Sequence, residues 1–167
     1  MWFVVGISYT SGNSMYPTVR DKTVLVVNKL EKPTHGDIVT IYSNDLRRYL
    51  CKRVIGLEGD TVEIKSGVVY LNGKRLEESF NEDKTTNGVF KVDANEVFVM
   101  GDNRNNSTDS RELGCLRLDD IKGVCIWNTG IKKEVFIVSI LLILVCYIIC
   151  IKLEAIRHDK RVLSSTK

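Results

Sequence analysis

Thr61-Val-Glu-Ile-Lys65, Ser66-Gly67, Val68-Val-Tyr-Leu71 and Asn72-Gly73 decide the fold class of this 167-residue chain. Two β-branched runs flank a tight Ser-Gly turn and read as a β-hairpin; Asn-Gly marks another tight turn directly after it. Working outward, the same pattern recurs. Upstream, Thr23–Asn28, Asp37–Tyr42 and Tyr49–Ile55 read as strands, with a break at Pro33 to Gly36. Downstream, Val97–Met100 and Val124–Trp127 do the same, while the polar residues 77–88 read as an exposed loop. No amphipathic helical period precedes residue 131. The expectation is a mainly β fold of short antiparallel strands, with 61–96 a hairpin and loop insert in a domain covering 1–131.

The two ends of the chain differ from this middle. Met1–Ile7 is apolar but only seven residues long, far short of the ~20 that a spanning helix needs. It has no basic n-region, so it reads as a buried N-terminal strand or as the stub of a membrane anchor. Val135–Ile151 is apolar except for Ser139 and is flanked by Lys132-Lys133 and Lys152. A run apolar on every side is expected to be a transmembrane helix, 132–152, with 153–167 a basic tail. A basic tail favours the cytoplasmic side and puts the domain on the outer face of the plasma membrane.

Charge and cysteine content exclude several functions. Residues 1–131 carry 17 Lys+Arg against 18 Asp+Glu, so no basic face for nucleic acid is expected. The two histidines and scattered cysteines assemble no metal site, and no cofactor is expected. Cys51, Cys115 and Cys125 leave a disulfide open without choosing a pair.

Three stretches carry chemistry. Ser11-Gly-Asn-Ser-Met-Tyr-Pro-Thr-Val19 is a turn made rigid by Pro17 and freed by Gly12. Such a turn projects the Ser14 hydroxyl from a defined place. Cys51-Lys-Arg-Val-Ile-Gly-Leu-Glu-Gly-Asp60 reads as a strand in which Lys52 and Val54 face one way and Arg53 and Ile55 the other. Burying the Lys52 amine among apolar groups would lower its pKa and make it a base. His35, in a loop without acidic support, is the weaker candidate for that role. Gly101-Asp-Asn-Arg-Asn-Asn-Ser-Thr-Asp-Ser-Arg111 packs two acids and two arginines among hydroxyl and amide groups.

These three motifs, in this order over residues 11–126, resemble the type I signal peptidases, membrane-bound Ser/Lys proteases. The resemblance implies a signal-peptidase-like β fold, with Ser14 as nucleophile and Lys52 as general base. It further implies that Ser107 orients the lysine and that Asp102, Arg104, Asp109 and Arg111 brace the site by ion pairing. The substrates it implies are preproteins with small residues at −1 and −3, cleaved at the membrane lipid surface. Two positions depart from the family pattern. Glu58 stands where proline is usual, and Gly12 where some relatives place a serine that assists the oxyanion hole. The rival expectations are a catalytically idle relative assisting assembly of surface proteins, and a self-cleaving repressor, which lacks a candidate DNA-binding helix pair.

Overall fold

β-Branched side chains pack well on a pleated surface, and the runs that carry them become strands. The structure, a computed structural model, describes residues 4–78, 87–132 and 137–152. It divides into two units, Met1–Gly130 and Ile131–Lys167.

The first unit is built on a seven-stranded sheet. Its strands are β1 (Val5–Tyr9), β2 (Thr23–Asn28), β3 (Ile38–Ser43), β4 (Arg48–Leu57), β9 (Glu96–Met100), β10 (Leu116–Arg117) and β11 (Ile121–Lys132). They lie in the order β1-β2-β11-β3-β4-β9-β10. A second sheet has the order β7-β6-β5-β8, from β5 (Thr61–Lys65), β6 (Val68–Leu71), β7 (Lys74–Arg75) and β8 (Gly88–Lys91). The pairings β1–β2, β3–β4, β4–β9 and β5–β6 are antiparallel, so the fold is mainly β as expected.

The insert differs from its reading as a hairpin and loop. β8 pairs with β5, placing Phe90 opposite Val62, and the Phe90 and Phe98 rings sit 4.7 Å apart. Cross-sheet aromatic packing thus turns part of a polar segment into a strand. The join between the sheets depends on Gly56. A Cβ there would stand 2.7 Å from Val62 Cγ2, a separation only glycine permits. Register also shifts between Val54 and Gly56 along the β4–β9 ladder. The bulge lets Ile55 join the core beside Phe98, while Val54 stays in the core with Val39 and Val99. A third cluster, Met15, Val19, Leu25 and Val27, lies beneath the serine turn with Cys51 and Cys125 packed against it. No disulfide joins Cys51, Cys115 or Cys125.

In the second unit, residues 137–152 are helical and exposed on every face. No helix among the described residues is long and apolar enough to cross a membrane. The expected span of 132–152 therefore needs correcting at its start: Lys132 ends β11, and residues 133–136 lie outside the described residues. The sixteen helical residues extend about 24 Å, against ~30 Å of hydrocarbon. The tail 153–167 also lies outside the described residues.

Candidate active site

Ser14 stands in a turn fixed from below and behind. Met15 and Val19 are buried in the core beneath it, and Val19 N donates to Met15 O at 2.8 Å. Thr10 Oγ1 donates to Arg20 O and accepts from Thr23 N, closing the turn against β2. Gly12 has a φ of +99°, a conformation that strains any residue with a Cβ. Its N–H donates to Asp21 Oδ1 at 2.7 Å. Gly12 is thus a conformational residue, and its own amide is already taken.

β4 brings Lys52 to this turn. Leu50 and Val54, two residues to either side, are buried, and Val39 is the partner of Lys52 on β3. The lysine itself is 3% exposed. Its Nζ lies 2.7 Å from Ser14 Oγ, and among the described residues that hydroxyl is its one hydrogen-bond partner. Burial is the main cause holding the amine below the usual lysine range. The Asp109 charge opposes this, whereas the Arg48 and Arg111 cations add to it. Burial pushes the neighbouring Cys51 thiol up to about 12, so it is not a competing nucleophile. His35 lies outside this centre: its Nε2 meets Asp60 Oδ2 at 2.6 Å on the surface.

The 101–111 loop supplies the frame. Arg53, on the opposite face of β4 from Lys52, donates Nε and Nη2 to the two oxygens of buried Asp102, a bidentate pair. Arg104 donates to Gly101 O and meets Glu78 Oε1 at 2.5 Å. Asp109 caps the one-turn helix α1 (Ser110–Leu113) and is the hub of the loop. It accepts from Gly101 N, Ser107 Oγ, and the backbone and guanidinium of Arg111. The Ser107 hydroxyl is thus committed to Asp109 at 2.7 Å, and among the described residues it makes no hydrogen bond to Lys52.

Three further contacts lie beyond what the motifs announce. Asn103 N donates to Ser14 O, and Asn103 Nδ2 donates to Asn13 O, so this loop grips the serine turn directly. In the sequence Asn103 is only one amide in a polar run. Glu78 pairs with Arg104 from the middle of the insert, where nothing local marks it. Gly101 is the third. A Cβ there would stand 2.5 Å from Ser14 O and collide with the Ser107 hydroxyl. Gly101→Ala should displace Ser14 relative to Lys52 and lower kcat/KM by about 10²-fold, the penalty for an ångström-scale misplacement. Steady-state peptide cleavage, with a thermal melt as folding control, checks this.

Beside Ser14 and Lys52 runs a cleft of about 700 Å³, walled by residues 6–15 on one side and 48–52 on the other. β1 is the edge strand of its sheet, and β9 pairs with β4 only from Arg53 onward. Both walls therefore offer strand edges without a strand partner among the described residues, a setting for an extended peptide.

The comparisons with known proteins give the family. Residues 1–128 match the family described as signal peptidase, peptidase S26. The chain is 39% identical over 130 residues to signal peptidase I P of Bacillus subtilis subsp. natto, covering 68% of this chain and 70% of that protein. It is 38% identical over 139 residues to signal peptidase I S of Bacillus subtilis (strain 168), covering 72% and 74%. Over 136 residues it is 37% identical to the probable signal peptidase I-1 of a Synechocystis species, covering 73% and 69%. A match over this much of its length places the chain in the signal peptidase family, peptidase S26, as a serine peptidase of the signal peptidase I type.

Proposed function

We propose that this peptidase removes signal peptides from exported preproteins through a Ser14/Lys52 dyad and an acyl-enzyme. The observation that carries the reading is the 2.7 Å approach of Lys52 Nζ to Ser14 Oγ, with the amine buried. The neutral amine takes the hydroxyl proton as Oγ attacks the scissile carbonyl. The developing oxyanion needs a preset donor, and the backbone N–H of Ser14 has no acceptor among the described residues. The ammonium then protonates the leaving amine, which departs as the mature N-terminus. Water attacks the ester, Lys52 accepts its proton, and the proton returns to Oγ as the acid leaves.

Asp102, Arg104, Asp109, Arg111 and Ser107 act by positioning, since their contacts are with the frame around the dyad. A preference for small substrate residues at −1 and −3 is part of the proposal, supported by the resemblance of the three motifs to the type I signal peptidases. Attachment to the outer face of the plasma membrane is part of the proposal, supported by the lysine-flanked apolar run Val135–Ile151 and by the exposed apolar faces of helix 137–152. The test is cleavage of a preprotein by Ser14→Ala and Lys52→Ala variants, with an acylating probe mapped by mass. Both variants should lose at least about 10²-fold in turnover, and the probe should sit on Ser14. Turnover by either variant within about tenfold of the parent protein, or a probe that leaves Ser14 unmodified in the parent protein, overturns the assignment.

A further inference from the structure

The charge of the cleft is one-sided. Lys29, Arg48, Lys52 and Lys122 line it, and no carboxylate does among the described residues. Two of the four are accounted for. Lys52 works as a neutral base in the reading above, and Lys122 lies 3.9 Å from Asp120 and 3.5 Å from Asp119 O. Lys29 and Arg48 have no acidic partner among the described residues. Around the dyad the rule is the reverse: Arg53, Arg104 and Arg111 are all paired with carboxylates.

Both unpaired cations sit on walls that lead to the dyad. Arg48 begins β4, and strand alternation puts it on the face that carries Leu50 and Lys52. Four steps along the strand separate it from Lys52, about 13 Å at ~3.3 Å per step. Lys29 reaches the other wall across Gly6. A Cβ at Gly6 would meet Lys29 Cε at 2.7 Å, so the glycine is what lets the lysine lie over β1. The Arg48 charge is felt at Lys52, in keeping with its place along the same wall. The cleft is also lined by exposed apolar groups, Ile7, Tyr9 and Tyr49. A bare polyanion would gain nothing from those; a peptide with mixed side chains would.

We propose that Arg48 and Lys29 form an acid-selecting subsite, so that preferred substrates carry Asp or Glu about four residues from the scissile bond, on the side that lies against Arg48. The inference rests on the peptidase reading and narrows its substrate class. Two solvent-exposed cations hold an acidic side chain by about the strength of an exposed ion pair, which corresponds to roughly fivefold in kcat/KM and weakens with salt.

The experiment uses the full-length protein in neutral detergent and a peptide set identical except for one position. Asp, Asn or Lys is walked through the six residues on each side of the cleaved bond. At one position three to five residues from the bond, Asp should be favoured over Lys by about fivefold, less so in high salt. Arg48→Glu should invert that ratio, and Arg48→Lys should keep it. Equal rates for Asp and Lys peptides at every position overturn the subsite while leaving the peptidase reading intact. So does an unchanged ratio in Arg48→Glu, or a charge preference that appears only when anionic phospholipid vesicles replace the detergent. Failure of the parent protein to cleave any peptide, by contrast, counts against the peptidase reading itself.

Discussion

Replacing Lys52 with methionine should lower kcat/KM by about 10²–10⁴-fold, the share that a positioned general base supplies, and should stabilise the fold. Both effects come from one amine. Lys52 is 3% exposed, and burial depresses its pKa from the ordinary 10.5. In the unfolded chain the amine keeps its proton up to about that ordinary value. Between the depressed folded pKa and 10.5 the unfolded state binds more protons, so wild-type stability rises with pH across that window. Below the window the cost of the buried amine is fully present; above it the cost is gone. Methionine has a similar volume and no charge, so its stability advantage should be largest at low pH and vanish as pH climbs past 10.5. Urea unfolding at several pH values measures this. The wild-type rate should rise with pH through the depressed pKa, with its acidic limb below the usual lysine range. A Lys52→Met variant that is inactive but no more stable at any pH would show that burial does not set the amine's pKa.

Asp109→Ala is the second large effect, and its main readout is stability. The Asp109 carboxylate is fully buried and accepts from Gly101 N, Ser107 Oγ and Arg111. Alanine takes the carboxylate acceptor away from each of these donors at once. Removing one partner of a buried ion pair costs about 3–5 kcal/mol, so the melting temperature should fall sharply. In the variant that remains folded at low temperature, the acidic limb should also move. The Asp109 anion raises the Lys52 pKa, so its loss lets that pKa fall further and shifts the limb to lower pH. Asp109→Asn, which keeps the shape, should show the same shift with less unfolding. A limb that stays in place in both variants would mean that Asp109 does not act on Lys52 electrostatically.

Legibility followed the range of the interactions. β5 and β6 begin and end where their β-branched runs do, and β2 coincides with Thr23–Asn28, because alternation and turn chemistry are local. β8 has no such local mark, since Gly88–Lys91 becomes a strand through Val62 and Phe98, one of them far back in the chain. β11 is longer than Val124–Trp127, beginning at Ile121 beside Ile41 of β3. Within the site, the facing of Lys52 and Arg53 can be read from a period of two, and Arg53 indeed meets a carboxylate, Asp102. What cannot be read is which acid serves which donor. The motif offers Asp102 and Asp109 alike, and only the folded loop brings both Gly101 N and Ser107 Oγ to Asp109. The Glu78–Arg104 pair spans 26 residues with no local signature at all.

The position of β11 has a consequence for how the enzyme comes into being. The last strand of the sheet lies between β2 and β3, joining the half that carries Ser14 to the half that carries Lys52. A nascent chain still lacking Ile121 and beyond thus has the Ser14 turn and Lys52 on two ribbons without the strand that lies between them, and Asn103 can grip the Ser14 turn only after most of the domain has emerged. If Ser14 and Lys52 are the catalytic pair, cleavage should be measurable only once this late strand is in place.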